Sequence, residues 1–335
     1  MIELIKNSCN ENINKFYYLL TNSYNQLKLF YFLLDSSKLI DVNMKKIKGL
    51  IIVNGYGLAQ GIEHQIMRLK DEFSKRNVDV DLKRNNSLLV YVEDGDIKTV
   101  LGKYDFIVYL DKDRFVARML EKLGYHLFNC SKAIELCDDK MLTHIALANN
   151  GIKMPLTISS TLCYRDDGNR NIVDEVEKKL SFPLIVKENY GSLGRQVYLI
   201  NNHEELLEVE NRLIHTPHIF QQFISSSRGV DYRVIVINHQ VVAYMKRENK
   251  NSYLSNLACG GRAYVTKIDP RYLDAAIRAS EILGLDYCGV DLLIGPNGEP
   301  ILSEVNSNAF YDGIEATTNI NVAGSYVDYI LSQIK

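Results

Sequence analysis

Three oxygen-bearing side chains late in the chain, Asp291, Glu304 and Asn306, lie in the run CGVDLLIGPNGEPILSEVNSN at a spacing that could hold a hard divalent cation. GVDLLI and PILSEV read as short apolar strands and GPNGEP as a reversing turn, so the run predicts a β-hairpin. Side chains alternate across a strand. Glu304 and Asn306 therefore share a face, and the hairpin can bring Asp291 alongside them. Two carboxylates and an amide oxygen suit Mg²⁺, with Mn²⁺ as the alternative, completed by water and phosphate oxygens. A phosphate donor is implied. A polar surface hairpin would carry the same residue types, so the triad alone leaves both readings open.

A second pattern could meet phosphate. FPLIVKENYGSLGRQVYLI places Lys187 at the end of an apolar strand, ahead of a loop with Gly191, Ser192 and Gly194 and then another strand. Backbone N–H groups of such a loop can face phosphate oxygens, and the lysine adds a point charge. A Walker A motif would need its lysine after the glycines and a helix behind it, and the H-R-D and D-F-G signatures of a protein kinase are missing. Glycine-rich hairpins are common, so the loop by itself does not decide. Asp231, Arg233, Lys246 and Arg247 interrupt the apolar strands DYRVIVI and QVVAYMKRE. A half-exposed sheet face accounts for them, and an anion-binding cleft floor accounts better for their clustering. A rival signal is Gly55, Gly57 and Gly61 after the strand KGLIIV, with Asp79 and Asp81 farther on, close to a dinucleotide fingerprint and hence to an oxidoreductase. Its third glycine comes one residue late, and a tight strand-to-helix turn needs glycine in any case.

The elements that must position these groups follow from periodicity. Residues 1–46, rich in aromatics (FYYLL, LFYFLL), read as a helical arm for packing or for homo-oligomer contact. From Gly49 a strand, a helix with Ile62, Ile66, Leu69 and Phe73, strands at Leu88–Val92 and Phe106–Leu110, and a helix carrying Phe115, Met119 and Leu123 alternate. That alternation predicts an α/β domain with a mostly parallel sheet, residues 47–129. A helical region with Leu142 and Ile145 on its apolar side follows and carries Lys140. Asn202 with Glu205 marks a capped helix, and Asp269–Pro270 to Gly284 marks another.

Composition narrows the classes. A chain of 335 residues with 46% hydrophobic and 24% charged residues is an ordinary globular protein of two or three domains. A net charge of -2 with no long basic run gives nucleic-acid binding no electrostatic support. Six scattered cysteines without C-x-x-C spacing, no signal peptide and no long apolar run predict reduced thiols, no membrane span and a cytoplasmic location.

The order of motifs, Lys140, then Lys187 with its glycine loop, then the QQFI strand, then Asp291 with SEVNSN, resembles the ATP-grasp superfamily. DYRVIVI, RENKNSYLSNL, CGG and NAFYDGIEATTNINVAG are similar to its RimK-like carboxylate–amine ligases. The likeness runs from about Asn129 to the C-terminus, more loosely from Gly49, and leaves residues 1–46 outside. It implies two α+β subdomains, 130–217 and 218–335, holding ATP between them. It further implies that Lys140 and Lys187 contact the phosphates under a loop from Tyr190 to Arg195, with Gln221, Gln222, Phe223 and Ile224 against adenine. Asp231 would lie near the ribose, Arg233 in the nucleotide site, and Arg247 and Asn256 at the reacting phosphoryl group. Asp291, Glu304 and Asn306 would hold Mg²⁺. The implied activity is ATP-dependent joining of a small-molecule or peptide carboxylate to an amine through an acyl phosphate. Gln222 stands where the family often has an acid, and Leu254 where it has an arginine. These departures keep a catalytically impaired nucleotide-binding or sensor protein as the alternative. With Phe310 and Tyr311, Leu254 is expected at a substrate rim less suited to anionic substrates than to apolar ones.

Overall fold

The described strands form three larger sheets and one two-stranded hairpin. The computed structural model describes residues 46–58, 60–166 and 171–334. The expected N-terminal arm lies outside the described residues save for Lys46. Lys48–Lys335 form one compact unit.

The first sheet is parallel, with β2 (Asp79–Arg84), β1 (Lys48–Val53), β5 (Phe106–Leu110) and β6 (Leu127–Phe128) side by side in that order. Its central strands are continuous apolar runs, as burial on both faces demands. Helix α1 (Gln60–Lys75) packs Ile66, Leu69 and Phe73 inward. Its polar side ties this layer to the C-terminal end of the chain: Gln65 Nε2 donates to Ala309 O at 2.8 Å, and Arg68 and Arg76 pair with Glu315 and Asp328 at 2.8 and 2.6 Å.

Three sequence expectations are corrected here. β1 pairs in parallel with β5 on one side and with the charged edge strand DVDLKR on the other. LLVYV instead enters a separate antiparallel hairpin, β3 (Val90–Glu93) with β4 (Asp96–Thr99). In α2 (Arg114–Lys122) the buried residues are Ala117 and Leu120, while Phe115 is 65% exposed. The helical region after Asn129 is two helices, α3 (Ser131–Asp138) and α4 (Lys140–Leu147), which bury Thr143, His144 and Leu147 and leave Ile145 58% exposed.

The second sheet orders β7 (Thr157–Ser159), β10 (His218–Gln222), β8 (Leu184–Glu188) and β9 (Val197–Ile200), all antiparallel. Helices α5 (Asn171–Lys179) and α6 (His203–Leu213) cover one face through Val173, Val176, Leu206 and Val209. The Asn202 side chain caps α6, accepting from Glu205 N at 2.9 Å. Because β10 pairs with β8, this sheet runs past the expected boundary at residue 217.

The third sheet is antiparallel in the order β13 (Arg262–Tyr264), β12 (Gln240–Glu248), β11 (Val230–Ile237), β14 (Tyr287–Ile294), β15 (Pro300–Asn306). Asn238 and His239, both at positive φ, close the β11–β12 hairpin in the conformation that matches strand twist. Helix α7 (Pro270–Leu283), capped by Asp269 and ended by Gly284 at φ +67°, packs Ala276, Ala279 and Leu283 on Val234, Val290 and Leu302. Two short helices, α8 (Asp312–Thr318) and α9 (Val322–Gln333), complete the chain.

Candidate active site

Between the second and third sheets lies a cleft of about 840 Å³. One wall is β8 and β10, the other is the β14–β15 hairpin, and the Gly191–Gln196 loop and the Tyr253–Asn256 segment close over it. The break between α3 and α4 is what delivers Lys140. Asp139 caps α4, accepting from Met141 N and Leu142 N, and its carboxylate also takes Asn189 Nδ2 at 2.9 Å. Lys140 at the first helical position then reaches Gly191 O at 2.9 Å, and its Nζ lies 3.9 Å from Glu304 Oε1.

Lys187 points from β8 into the same cleft, 8% exposed, with Nζ 3.3 Å from Ser303 Oγ. Burial pushes its pKa down to about 8, with Glu304 and Asp291 opposing and Lys140 assisting. Burial thus outweighs the attraction of the two carboxylates. In the loop, Gly194 sits at φ +76° and Leu193 at +58°, a backbone that turns sharply under the Tyr253–Asn256 segment. A Cβ on Gly191 would come within 2.9 Å of the Gln196 side chain, whose Oε1 accepts from Ser192 N.

At the opposite end, Gln221, Gln222, Phe223 and Ile224 line the cleft. Gln221 is buried and bound to Thr157 Oγ1 at 2.9 Å and His144 Nε2 at 3.1 Å. Gln222 is exposed, and its Oε1 accepts from Leu156 N at 3.5 Å.

Cross-strand register assembles the charged floor. Arg233 is opposite Asp291 on β11 and β14, and Asp231 is opposite Arg247 on β11 and β12. Arg233 grips both oxygens of Asp291 at 2.7 and 2.6 Å. Arg247 grips both oxygens of Asp231 and reaches Asp291 at 3.0 Å. Burial alone would raise the Asp291 pKa, but the two guanidiniums hold it well below the usual carboxylate range, and the carboxylates hold Arg247 charged.

The predicted metal residues are brought close, though not equally. Asp291 and Glu304 are direct cross-strand partners lining the cleft, while Asn306 lies two residues on, in a neighbouring cavity that Glu304 also lines. The Glu304 carboxylate accepts no hydrogen bond among the described residues and lies 3.9 Å from Lys140 Nζ, so with Asp291, whose carboxylate is shared with the arginines, it offers oxygens that suit a hard cation. The orphaned atom of Asn306 is its amide nitrogen, a donor, so Asn306 would serve such a cation only through its amide oxygen. Among the described residues no group of three or more His, Cys, Asp or Glu offers a denser site.

Other expectations shift. Tyr190 is 48% exposed and does not line the cleft, and Arg233 faces the adjoining cavities rather than the nucleotide side. Tyr311 is fully buried, its ring edge-on to Tyr287 at 5.6 Å, so it is core and not rim. Leu254 lines the cleft beside Gly194, whereas Phe310 borders two further cavities, of about 1070 and 1770 Å³. The larger one holds Arg195, Arg233 and Arg247 beside Met245, Leu257 and Ile314.

The dinucleotide alternative fails on geometry. A Cβ on Gly61 would meet the Phe310 ring at 2.3 Å, so protein fills the space against that glycine where a pyrophosphate would approach. Asp81 lies in mid-strand, bound to Tyr104 Oη at 2.7 Å and Lys48 at 3.1 Å. Asp111 and Asn54 escaped the sequence reading. Their signal was an acid directly after the buried strand FIVYL and an amide directly after KGLIIV, the strand ends where α/β sheets bind ligands.

A cleft between two antiparallel sheets, walled by two lysines and a carboxylate hairpin and roofed by a glycine loop, defines an ATP-grasp protein. The RimK-like ATP-grasp domain family matches residues 137–330, and the chain belongs to that family. It is 34% identical to human β-citrylglutamate synthase B over 230 residues, 67% of this chain and 58% of that protein. It is 34% identical to a probable α-L-glutamate ligase of Legionella pneumophila over 223 residues, 66% of this chain and 72% of that one. The chain thus spans well under two thirds of the human relative. VanG D-Ala:D-Ser ligase from Enterococcus faecalis superposes with a TM-score of 0.67 at 17% identity over 87% of this chain and 100% of that one, which shows a shared fold. No described helix is long and apolar enough to cross a membrane.

Proposed function

We propose that the chain is an ATP-dependent carboxylate–amine ligase that forms an amide or peptide bond through an acyl phosphate and releases ADP and phosphate. The observation that carries this reading is the buried Lys187 in one cleft with Lys140 and the Glu304 carboxylate, beside an arginine-lined cavity that shares Ser192, Leu193 and Asn256 with it. Names of the relatives, a β-citrylglutamate synthase and a probable glutamate ligase, point the same way.

In this reading Gln221 to Ile224 seat the base, Lys140 and Lys187 meet the phosphates, and the Gly191–Gly194 loop excludes water. Mg²⁺ held by Asp291, Glu304 and Asn306 would offset phosphate charge. The acid lies in the cavity with Arg195, whose guanidinium can take a carboxylate in a paired geometry, because Arg233 is already paired with Asp291. The phosphoryl group passes to that carboxylate, and an amine then displaces phosphate from the acyl carbon. Positioning and fixed charge do the chemistry, and no side-chain nucleophile is needed.

The test supplies ATP and Mg²⁺ with a panel of acids, including citrate, N-acetylaspartate and glutamate, and a panel of amino acids or hydroxylamine. ADP release that requires both acid and amine, with hydroxamate formed from hydroxylamine, is the expected result. ATP binding with no ADP under any pairing would replace this reading with that of a nucleotide-binding protein without catalysis.

A further inference from the structure

The ligase reading leaves the amine without a seat, and a cavity outside the nucleotide cleft supplies one. We propose that the cavity at the strand ends Asn54 and Asp111 binds the amine-bearing substrate, taking an ammonium group attached to an apolar body. Its role as a substrate site rests on the ligase reading.

Topology places a crevice there. From β1 the chain crosses to β2 on one side of the sheet, and the next parallel strand, β5, lies on the other side. In open α/β sheets ligands bind beyond the carboxyl ends of strands at such a reversal. Asn54 directly follows β1 and Asp111 directly follows β5, and Asn54 Nδ2 donates to Asp111 Oδ1 at 3.3 Å. The cavity of about 1070 Å³ above them is closed on its far side by Glu304, Asn306 and Asn308. It therefore adjoins the nucleotide cleft through Glu304, as an attacking group requires.

The polar groups select the ligand. Asp111 accepts from Asn54, Asn85 and the backbone of Lys112, yet among the described residues no lysine or arginine pairs with it. Lys112 directs its amine to Asp138 at 2.8 Å instead. Asn308 Oδ1, in the facing wall, is buried without a hydrogen-bond partner. Asn308 Oδ1 is thus an unmet buried acceptor, which is costly, and the Asp111 carboxylate is met only by uncharged donors. Burial raises the Asp111 pKa, with Asp113 and Asp138 adding to the effect, as expected of a carboxylate short of positive charge. A carboxylate or phosphate would be repelled here, while an ammonium supplies N–H donors and charge together. Leu58, Ile62, Leu110 and Phe310 also line the cavity and fit an apolar body, while its two cationic residues are already paired, Lys112 with Asp138 and Arg233 with Asp291. The substrates are thereby sorted by charge: acid beside Arg195, amine beside Asp111.

The test follows thermal stability of the full chain with ADP and Mg²⁺ as L-leucinamide, L-leucine or 4-methylpentanoate is added. Both amines should stabilise it, and the acid, lacking the ammonium, should do so only at about tenfold or higher concentration. Asp111→Asn should weaken L-leucinamide by about tenfold or more, the scale of a lost charged hydrogen bond, with the ADP response unchanged. Asn308→Ala, which leaves Asp111 in place, should weaken it in the same direction if Asp111→Asn fails to fold. L-leucinamide without effect on the wild type, or bound equally by both variants, overturns the proposal. Hydroxylamine, largely uncharged near neutral pH, needs no ammonium seat and separates the two readings. Hydroxamate from the wild type alongside unaltered L-leucinamide binding in the variants removes the amine seat and leaves the ligase. No hydroxamate from any acid removes the ligase reading, and with it the substrate role of the cavity, even where Asp111→Asn loses the amine.

Discussion

Asp291→Asn and Glu304→Gln remove one charge each from neighbouring positions on the same hairpin, yet the structure assigns them different costs. Asp291 is 4% exposed and is the only hydrogen-bond partner of the Arg233 guanidinium among the described residues, besides taking a 3.0 Å contact from Arg247. An amide in its place keeps one acceptor but leaves a half-buried guanidinium without a counter-charge. Breaking a buried pair in this way costs roughly 3–5 kcal/mol, and the retained acceptor argues for the lower end. The Glu304 side chain is 29% exposed and 3.9 Å from Lys140, so its loss costs under about 1 kcal/mol. Both variants should lose turnover, but only Asp291→Asn should lose about 3 kcal/mol in urea unfolding monitored without nucleotide. The difference must also depend on pH with a definite sign. The Asp291 pKa is depressed in the folded state, so its contribution is fully present above the ordinary carboxylate value and disappears as pH falls through the depressed one. Equal stability of the two variants at neutral pH would refute the claim that Asp291 holds the floor together as well as facing the cleft.

Lys187 titrates near pH 8 because of burial, and only its charged form attracts phosphate, so in metal-free buffer ATP affinity should fall about tenfold between pH 7 and 9. Its folded pKa lies below the unfolded one, so the stability of the ligand-free chain should instead rise from about pH 8 to the ordinary lysine range. A flat affinity profile, or one kept in Lys187→Met, rejects the assignment. His144 is buried neutral beside Gln221, with its pKa lowered to about 4 first by burial and then by Lys187. Its unfolded form binds the extra proton, so stability should drop by up to about 3 kcal/mol from pH 6.5 to 4, and His144→Gln should flatten that slope. Gly229, at φ +67°, holds the segment that carries Leu254 and Asn256: its N–H donates to Tyr253 O, and a Cβ there would meet Asn249 O at 2.3 Å. Gly229→Ala should cost more than about 2 kcal/mol in chemical unfolding and weaken nucleotide binding, and a variant of unchanged stability would contradict this.

Local signals carried the parts of the site that lie close in sequence. The GPNGEP turn and the alternation of PILSEV were enough to bring Asp291 alongside Glu304, though not the bulge at Asp291–Leu292 that sets their register, and Asp269–Pro270 with Gly284 bounded α7 to the residue. What escaped depends on contacts between distant strands. Nothing local says that Arg233 would spend its guanidinium on Asp291, because that follows from β11 lying beside β14. Nor could Asp111 and Asn54 be joined before β1 and β5 were known to be neighbours. Hydrophobicity misled where apolar residues sit on exposed faces, as at Phe115 and Ile145, and DVDLKR was missed because an edge strand needs little apolar content. Tyr311 was expected at the rim with Phe310 from the family resemblance, yet adjacent residues point different ways, and of the two only Phe310 reaches the cavities.

The central claim, activation of a carboxylate by phosphoryl transfer, is tested most directly by oxygen tracing. An acid that supports hydroxamate formation is supplied with ¹⁸O in its carboxylate, and the released phosphate is analysed by mass. One labelled oxygen per phosphate formed is the predicted result, because the acyl oxygen leaves with the phosphoryl group. Unlabelled phosphate accompanying amide formation would contradict the account.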